Sequence, residues 1–429
     1  MSALLTGSRM RRLAGVVSAQ LLVQGLGFVA GIVLVRTLAP AEYGYYTMAV
    51  ALVGVAGVLG ELGVANAVMA IGGRLAGQRA SLRALVDEAF ALQGVLAALT
   101  PLVVMPPFVL LLRHQHASLA QALALTAIGS LCAFVNVRIT ITQSVARLAG
   151  HVAVQQKTDL AMNAARVALL GLAAFVWLDA TSASLVNLLA AAGGYLFWRA
   201  YLRRQLGAST GARATHARAL RGSVLRQAPN CLYYVLNAQL AVWLVGTFGS
   251  TEKIADVGAL GRLGAGFAVI MSVIATLVMP YFARTQQSER LESGFLALNA
   301  FFSALTGVLA TAAIMLPAPI LWVLGPHYAG LGAELIWMVL STALVSWSGA
   351  LYSVACARGW VLPAGLAIAC GVATTLAGVQ VFDLSTVAGN LQLTTLTAFA
   401  ALVVNIAHFG TRLLRHRRLE ASPLGKALP

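Results

Sequence analysis

The chain has 429 residues, 59% of them hydrophobic and only 10% charged, with a formal net charge of +16. Soluble domains carry about 25% charged residues, so composition excludes an ordinary water-soluble fold. Repeated apolar runs of about 20 residues point instead to helices crossing a ~30 Å hydrocarbon layer at about 1.5 Å per residue.

Arg9, Arg11 and Arg12 precede the first apolar run, Leu13 to Val35, in the manner of a signal peptide. That run exceeds the ~7–15 residues of a secretory core, so it reads as a retained first span. The remaining spans fall at 45–71, 89–112, 118–137, 158–178, 183–202, 224–247, 257–280, 295–316, 331–352, 361–379 and 388–410, giving twelve. Pro101, Pro106 and Pro107 interrupt the hydrogen-bond ladder of the third span and bend it. Cys132, Cys231, Cys356 and Cys370 all lie in apolar runs without CxxC spacing, which fits buried free thiols.

The connections are short, and the longest, 203–223, is polar, Arg-rich and placed after six spans. The expected organisation is an N-terminal six-helix lobe (1–202), a cytoplasmic linker (203–223), a C-terminal six-helix lobe (224–410) and a basic tail (411–429). Cytoplasmic loops accumulate Lys and Arg. With the N-terminus inside, all basic residues but five fall in inner loops or tails. Arg36, Arg113 and Lys253 lie outside, while Arg166 and Arg262 sit within spans. The basic excess is therefore a topology signal and not a nucleic-acid footprint, and both termini are expected in the cytoplasm. An even number of spans per half gives both lobes one orientation, related by a pseudo-twofold along the membrane normal.

The turn after span one, VRTLAPAEYG, has a weak echo after span seven in VGTFGSTEKIADVG. These stretches carry a resemblance. VRTLAPAEYGYYTMAV followed by GELGVANAVM is similar to the first two spans of bacterial polysaccharide-biosynthesis flippases of the multidrug/oligosaccharidyl-lipid/polysaccharide superfamily. GTFGSTEKIADVGALGRL, with the later MPYFAR, resembles their spans seven and eight. Two positions depart. Ala241 stands where the family often has an acid, and Asp256-Val257-Gly258 where it often has an aromatic. The resemblance implies an all-α membrane transporter that moves an undecaprenyl-pyrophosphate-linked oligosaccharide to the outer leaflet, in O-antigen, lipopolysaccharide, capsule or exopolysaccharide synthesis.

An ionisable side chain at mid-membrane costs about 2.5–3.5 kcal/mol and usually faces a bundle interior or wet cavity. Asp159, Asn163 and Arg166 share one face of span five at i, i+4, i+7. They read either as a cationic site for pyrophosphate or as an Asp–Arg pair joining helices. Arg262, about six residues into span eight, reads as a late headgroup contact or as a snorkelling anchor. Arg36 reads better as an anchor. Gln20, Gln24, Gly27 and Gly31 form a stripe on span one, and Asn230, Tyr234 and Asn237 one on span seven. Both stripes suit sugar hydroxyls or interhelical packing. Asp159 and Glu61 are the candidates for ion coupling, Glu61 alternatively pairing with an Arg.

No Walker A motif, metal-ligand spacing or catalytic triad is present. Gly264-Ala265-Gly266 belongs to a span and not to a dinucleotide loop. The sequence thus reads as a non-enzymatic flippase of the bacterial inner membrane, without a cofactor, working by alternating access between two lobes. Its partners would be the lipid-linked substrate, membrane lipids and polysaccharide polymerase or ligase machinery. The alternative is a drug or cation antiporter of the same superfamily, or, further off, a membrane polymerase or ligase.

Overall fold

The computed structural model describes residues 7–75, 78–207, 216–274, 278–285, 287–358, 360 and 362–421. Among them there is no strand. The helices are α1 (Gly7–Thr37), α2 (Pro40–Glu61), α3 (Val64–Gly72), α4 (Arg79–His114), α5 (Leu119–Leu148), α6 (Val152–Val176), α7 (Ala180–Leu206) and α8 (Ala217–Phe248). There follow α9 (Thr251–Leu263), α10 (Ala265–Val273), α11 (Met279–Arg284), α12 (Ser288–Met315), α13 (Pro317–Trp322), α14 (Gly332–Ala357), α15 (Ala364–Val381) and α16 (Val387–Ala421). Ten of the described helices are long and apolar enough to cross a membrane, and the bent pair α9–α10 makes eleven. The 32-residue α8 supplies one more, which gives the twelve spans read from the sequence.

Helix starts follow the local chemistry. Pro40 opens α2, where its missing N–H costs nothing. Ser118 caps α5 by accepting from the Gln121 amide at 3.1 Å, and Asp179 with Ser182 forms a capping box on α7. The 36-residue α4 continues through Pro101, Pro106 and Pro107. Leu102, Val103 and Leu110 are exposed on it, as are Val308 on α12 and Leu376 on α15. Such outward apolar surface is what lipid requires.

Spans two and eight are each two helices. Leu62 (φ 42°) and Gly63 (φ 81°) are left-handed and separate α2 from α3. The α9–α10 pair bends by 41° at Gly264. The two breaks carry one short motif, Gly60-Glu61-Leu62-Gly63 and Gly261-Arg262-Leu263-Gly264. At corresponding places in the two halves, the same Gly-X-Leu-Gly holds an acid in one and a base in the other.

The chain divides into two compact units, Leu21–Gly258 and residues 1–20 with 259–429. This grouping puts α8 with the N-terminal helices, whereas the sequence boundary lay at 203–223. Within the first unit, α5 packs along α2, α4 and α7, and α8 along α2, α3 and α4. Within the second, α14 packs on α12 and α16, and α15 on α16. Phe282, Phe302 and Phe409 are fully buried in the core of the second unit.

Polar clusters tie helix ends together at each end of the first unit. At one end, Glu42 accepts from Gln121 Nε2 at 3.0 Å and from the Ala180 amide at 2.8 Å. There the buried Gln115 donates through Nε2 to the Gly246 and Gly249 carbonyls at 2.9 and 3.1 Å. Its own carbonyl accepts from Tyr45 Oη at 2.9 Å, and its Oε1 from Thr251 Oγ1 at 2.8 Å. At the other end, Arg83 Nε and Nη2 form a two-pronged pair with Asp87 at 3.1 and 2.9 Å. Arg83 Nη1 also donates to the Gly207 carbonyl at 3.1 Å, and Glu88 Oε2 accepts from the His216 amide at 3.1 Å.

Candidate functional site

Tyr46, from the stretch 35–50, is fully buried on α2. Arg166 Nη2, on α6, donates to its hydroxyl oxygen at 3.0 Å. Asn187 Nδ2, on α7, donates to the same oxygen at 3.0 Å. One phenol therefore joins three helices inside the membrane. A guanidinium has five N–H donors, so Tyr46 leaves most of Arg166 available. Its Nε is buried and has no partner among the described residues.

The other members of the span-five face do different work. Asp159 accepts from Gln143 Nε2 of α5 at 3.0 Å, and the ion pairs among the described residues do not include Asp159 with Arg166. Asn163 Nδ2 donates to the Asp159 carbonyl at 2.9 Å. Its Oδ1 faces Gly27 of α1, where a Cβ would stand 3.8 Å away. Gln24 is half-buried one turn earlier on α1, and Gln20 is half-buried too.

Glu61 ends α2, and its Oε1 accepts from the Ala65 amide at 3.3 Å across the break, capping α3. Arg262 is half-buried in the last turn of α9. That helix begins at Thr251 and not near 257, so Arg262 stands eleven residues, about 16 Å, from its start. Asn230, Tyr234 and Asn237 lie on α8, with side chains outside the described residues.

One half-buried helical cation was not read as such. The sequence ended span four at 137 and counted Arg138 in an inner loop, but α5 continues to Leu148. Arg138 stands ten residues, about 15 Å, inside it. Its guanidinium carbon lies 4.6 Å from the Phe90 ring centroid and 5.1 Å from that of Phe134. These are cation–π distances. Its Nε is also buried without a partner among the described residues. The run Asn136, Arg138, Thr140, Thr142, Gln143, Ser144 had concealed the helix. Thr140 and Thr142 return their hydroxyls to Asn136 and Arg138 carbonyls at 3.0 Å each, so the polar run remains helical.

Neither Arg138 nor Arg166 has a carboxylate partner among the described ion pairs. Arg138 is thus held by two phenyl rings and Arg166 by a phenol, and a guanidinium can bind anionic oxygen through forked hydrogen bonds. Among the described residues, no group of three His, Cys, Asp or Glu side chains can hold a metal ion.

No protein-family model and no curated protein matches the chain. Solved structures do. An outward-facing multidrug resistance MATE family transporter of the MOP superfamily superposes with a TM-score of 0.66 at 15% identity, over 95% of this chain and 96% of that one. The chain has the MATE fold. An inward-facing MATE transporter gives a TM-score of 0.63 at 15% identity, over 95% and 96% of the two chains. A variant of the Vibrio cholerae MATE transporter VcmN gives 0.61 at 16% identity, over 97% of each. The likeness spans the whole MATE fold, both halves included.

Proposed function

We propose that the protein is a membrane transporter that works by alternating access. The observation carrying this reading is the whole-chain likeness to MATE structures in both outward- and inward-facing states. A bacterial inner-membrane location with both termini cytoplasmic accompanies it.

For the cargo, the same comparisons support a drug or cation antiporter better than an oligosaccharide flippase, since those relatives are described as multidrug resistance transporters. In that reading Asp159 and Glu61 carry the coupling ion. A specific observation favours the second reading, a lipid-linked oligosaccharide flippase. Arg138 and Arg166 lie within long apolar helices with buried Nε atoms that have no partner among the described residues, and neither is in a described ion pair with a carboxylate. A cationic drug is repelled by such groups, whereas a pyrophosphate is attracted to them. Arg166, Asn163 and Arg262 would meet the headgroup, while Gln20, Gln24, Asn230, Tyr234 and Asn237 would meet sugar hydroxyls.

Purified protein in liposomes separates the two. One arm measures efflux of a cationic dye against an imposed proton or sodium gradient. The other measures transfer of a polyprenyl-pyrophosphate-linked oligosaccharide between leaflets. Dye efflux alone establishes the antiporter. Leaflet transfer that falls in Arg138→Ala at equal protein content establishes the flippase. Activity in neither arm overturns the transporter reading.

A further inference from the structure

A second polar site lies in the first unit, between α2, α4 and α5. Gln93 of α4 is completely buried, yet neither its Oε1 nor its Nε2 has a protein partner. Ser130 Oγ of α5 is likewise buried and unpartnered. Both residues line one pocket of about 10 Å³, together with Gly60, Ala97, Thr100 and Pro101. The backbone at Ala97 is also on the pocket wall. Pro101 has no N–H, so it cannot donate to the carbonyl four residues back. Thr100 is self-contained, its hydroxyl donating to the Leu96 carbonyl at 2.8 Å.

Leaving such groups unsatisfied away from water incurs their full desolvation cost. Three unmet functions converge, the Gln93 carbonyl and amide and the Ser130 hydroxyl, beside the Ala97 carbonyl that Pro101 cannot serve. They include donors as well as acceptors. A sodium ion would satisfy the oxygens but oppose the Gln93 amide hydrogens, and the pocket lining offers no carboxylate to balance its charge. A water molecule donates twice and accepts twice, and the volume is that of about one water.

We propose that this pocket is a binding site for a single internal water that bridges Gln93 and the Ala97 carbonyl on α4 to Ser130 on α5. The water takes up the hydrogen bonds released where Pro101 interrupts α4. Gly60, on the pocket wall, directly precedes Glu61 and the α2–α3 break. The site thus joins the broken span two and the proline-bearing α4 to α5.

Hydroxyl-radical footprinting of the intact protein in nanodiscs tests this, because a bound water generates radical beside its neighbours. Phe134 lines the pocket and carries a reactive ring. The wild-type Phe134 should be labelled several-fold faster than in Ser130→Ala or Gln93→Met. Equal labelling in wild type and both variants would overturn the proposal. A second measurement compares salts. Any shift of melting temperature between sodium, potassium and choline chloride at equal ionic strength should be the same in wild type and Gln93→Met, whereas a rise specific to sodium that Gln93→Met abolishes would replace the water by a cation.

Discussion

Arg166 and Tyr46 show how one hydroxyl separates a structural role from a binding role. Tyr46 Oη receives both Arg166 and Asn187, so Tyr46→Phe removes two hydrogen bonds and leaves two part-buried donors without this acceptor. It should destabilise the protein by about 1–3 kcal/mol, read as a lowered melting temperature. Arg166→Ala removes the cation but leaves Tyr46 its bond to Asn187. The expected result is a small change in melting temperature with a marked fall in transport, only partly restored by Arg166→Lys, which lacks the fork. Full transport in Arg166→Ala at normal abundance would exclude it as a cargo ligand. The i, i+4, i+7 spacing of Asp159, Asn163 and Arg166 was legible in the sequence because a helix repeats faithfully. Their partners were not, since Tyr46, Asn187 and Gln143 come from three other helices. Arg138 was hidden for a local reason: threonines that bond back to their own helix resemble a loop when judged by hydropathy alone.

Helices in this protein are held at their ends, and two devices there make measurable statements. Spans two and eight looked continuous in the sequence, because a Gly-X-Leu-Gly adds little polarity to an apolar run. The break becomes legible only when Leu62 and Gly63 are seen at φ 42° and 81°. The second device joins the end of α16 to the start of α12. Ser288 Oγ lies 2.9 Å from His416 Nδ1, and the Ser288 amide donates to Glu420 Oε2 at 3.2 Å. The Ser288 hydroxyl and amide, with His416 and Arg358 nearby, hold the Glu420 carboxyl below the usual carboxylate range despite some opposing burial. A lowered folded-state pKa stabilises above the ordinary carboxylate value, about 4.3, and that stabilisation disappears as pH falls through the folded value. At pH 7, Glu420→Gln should therefore expose the Ser288 amide and the last turns of α16 to faster hydrogen exchange. Wild type should approach the same rates only under acid. Unchanged exchange at Ser288 in the variant would show that the carboxylate does not hold this junction.

At the scale of the whole molecule, the end clusters and the charge distribution make one topological statement. In the first unit, Glu42 is hydrogen-bonded to Gln121 and Ala180, and Gln115 to Gly246 and Gly249, at one end. Arg83, Gly207, Glu88 and His216 are joined in two groups at the other end. Chain ends alternate between the two as successive spans require. In the second unit, Arg358 Nη1 donates to the Phe282 carbonyl at 2.7 Å, and the Thr285 carbonyl is its other acceptor. The Trp360 carbonyl meets His408 Nε2 at 3.0 Å. The segments at 282–288, 358–360 and 408–420 thus gather at one end of that unit. Basic residues concentrate in the segments around 203–223, 284–290 and 412–418, whereas Arg36, Arg113 and Lys253 flank the Glu42 end. Because Lys and Arg are retained on the cytoplasmic side, reporters fused within 203–223 and after Arg412 should register as cytoplasmic. A reporter after Glu42 should register outside. The 203–223 and Glu42 fusions test opposite ends of the same unit, so they must disagree with one another. Agreement between them would break the alternation on which the twelve spans rest, and external activity from the 203–223 fusion would reverse the orientation assigned by the basic residues.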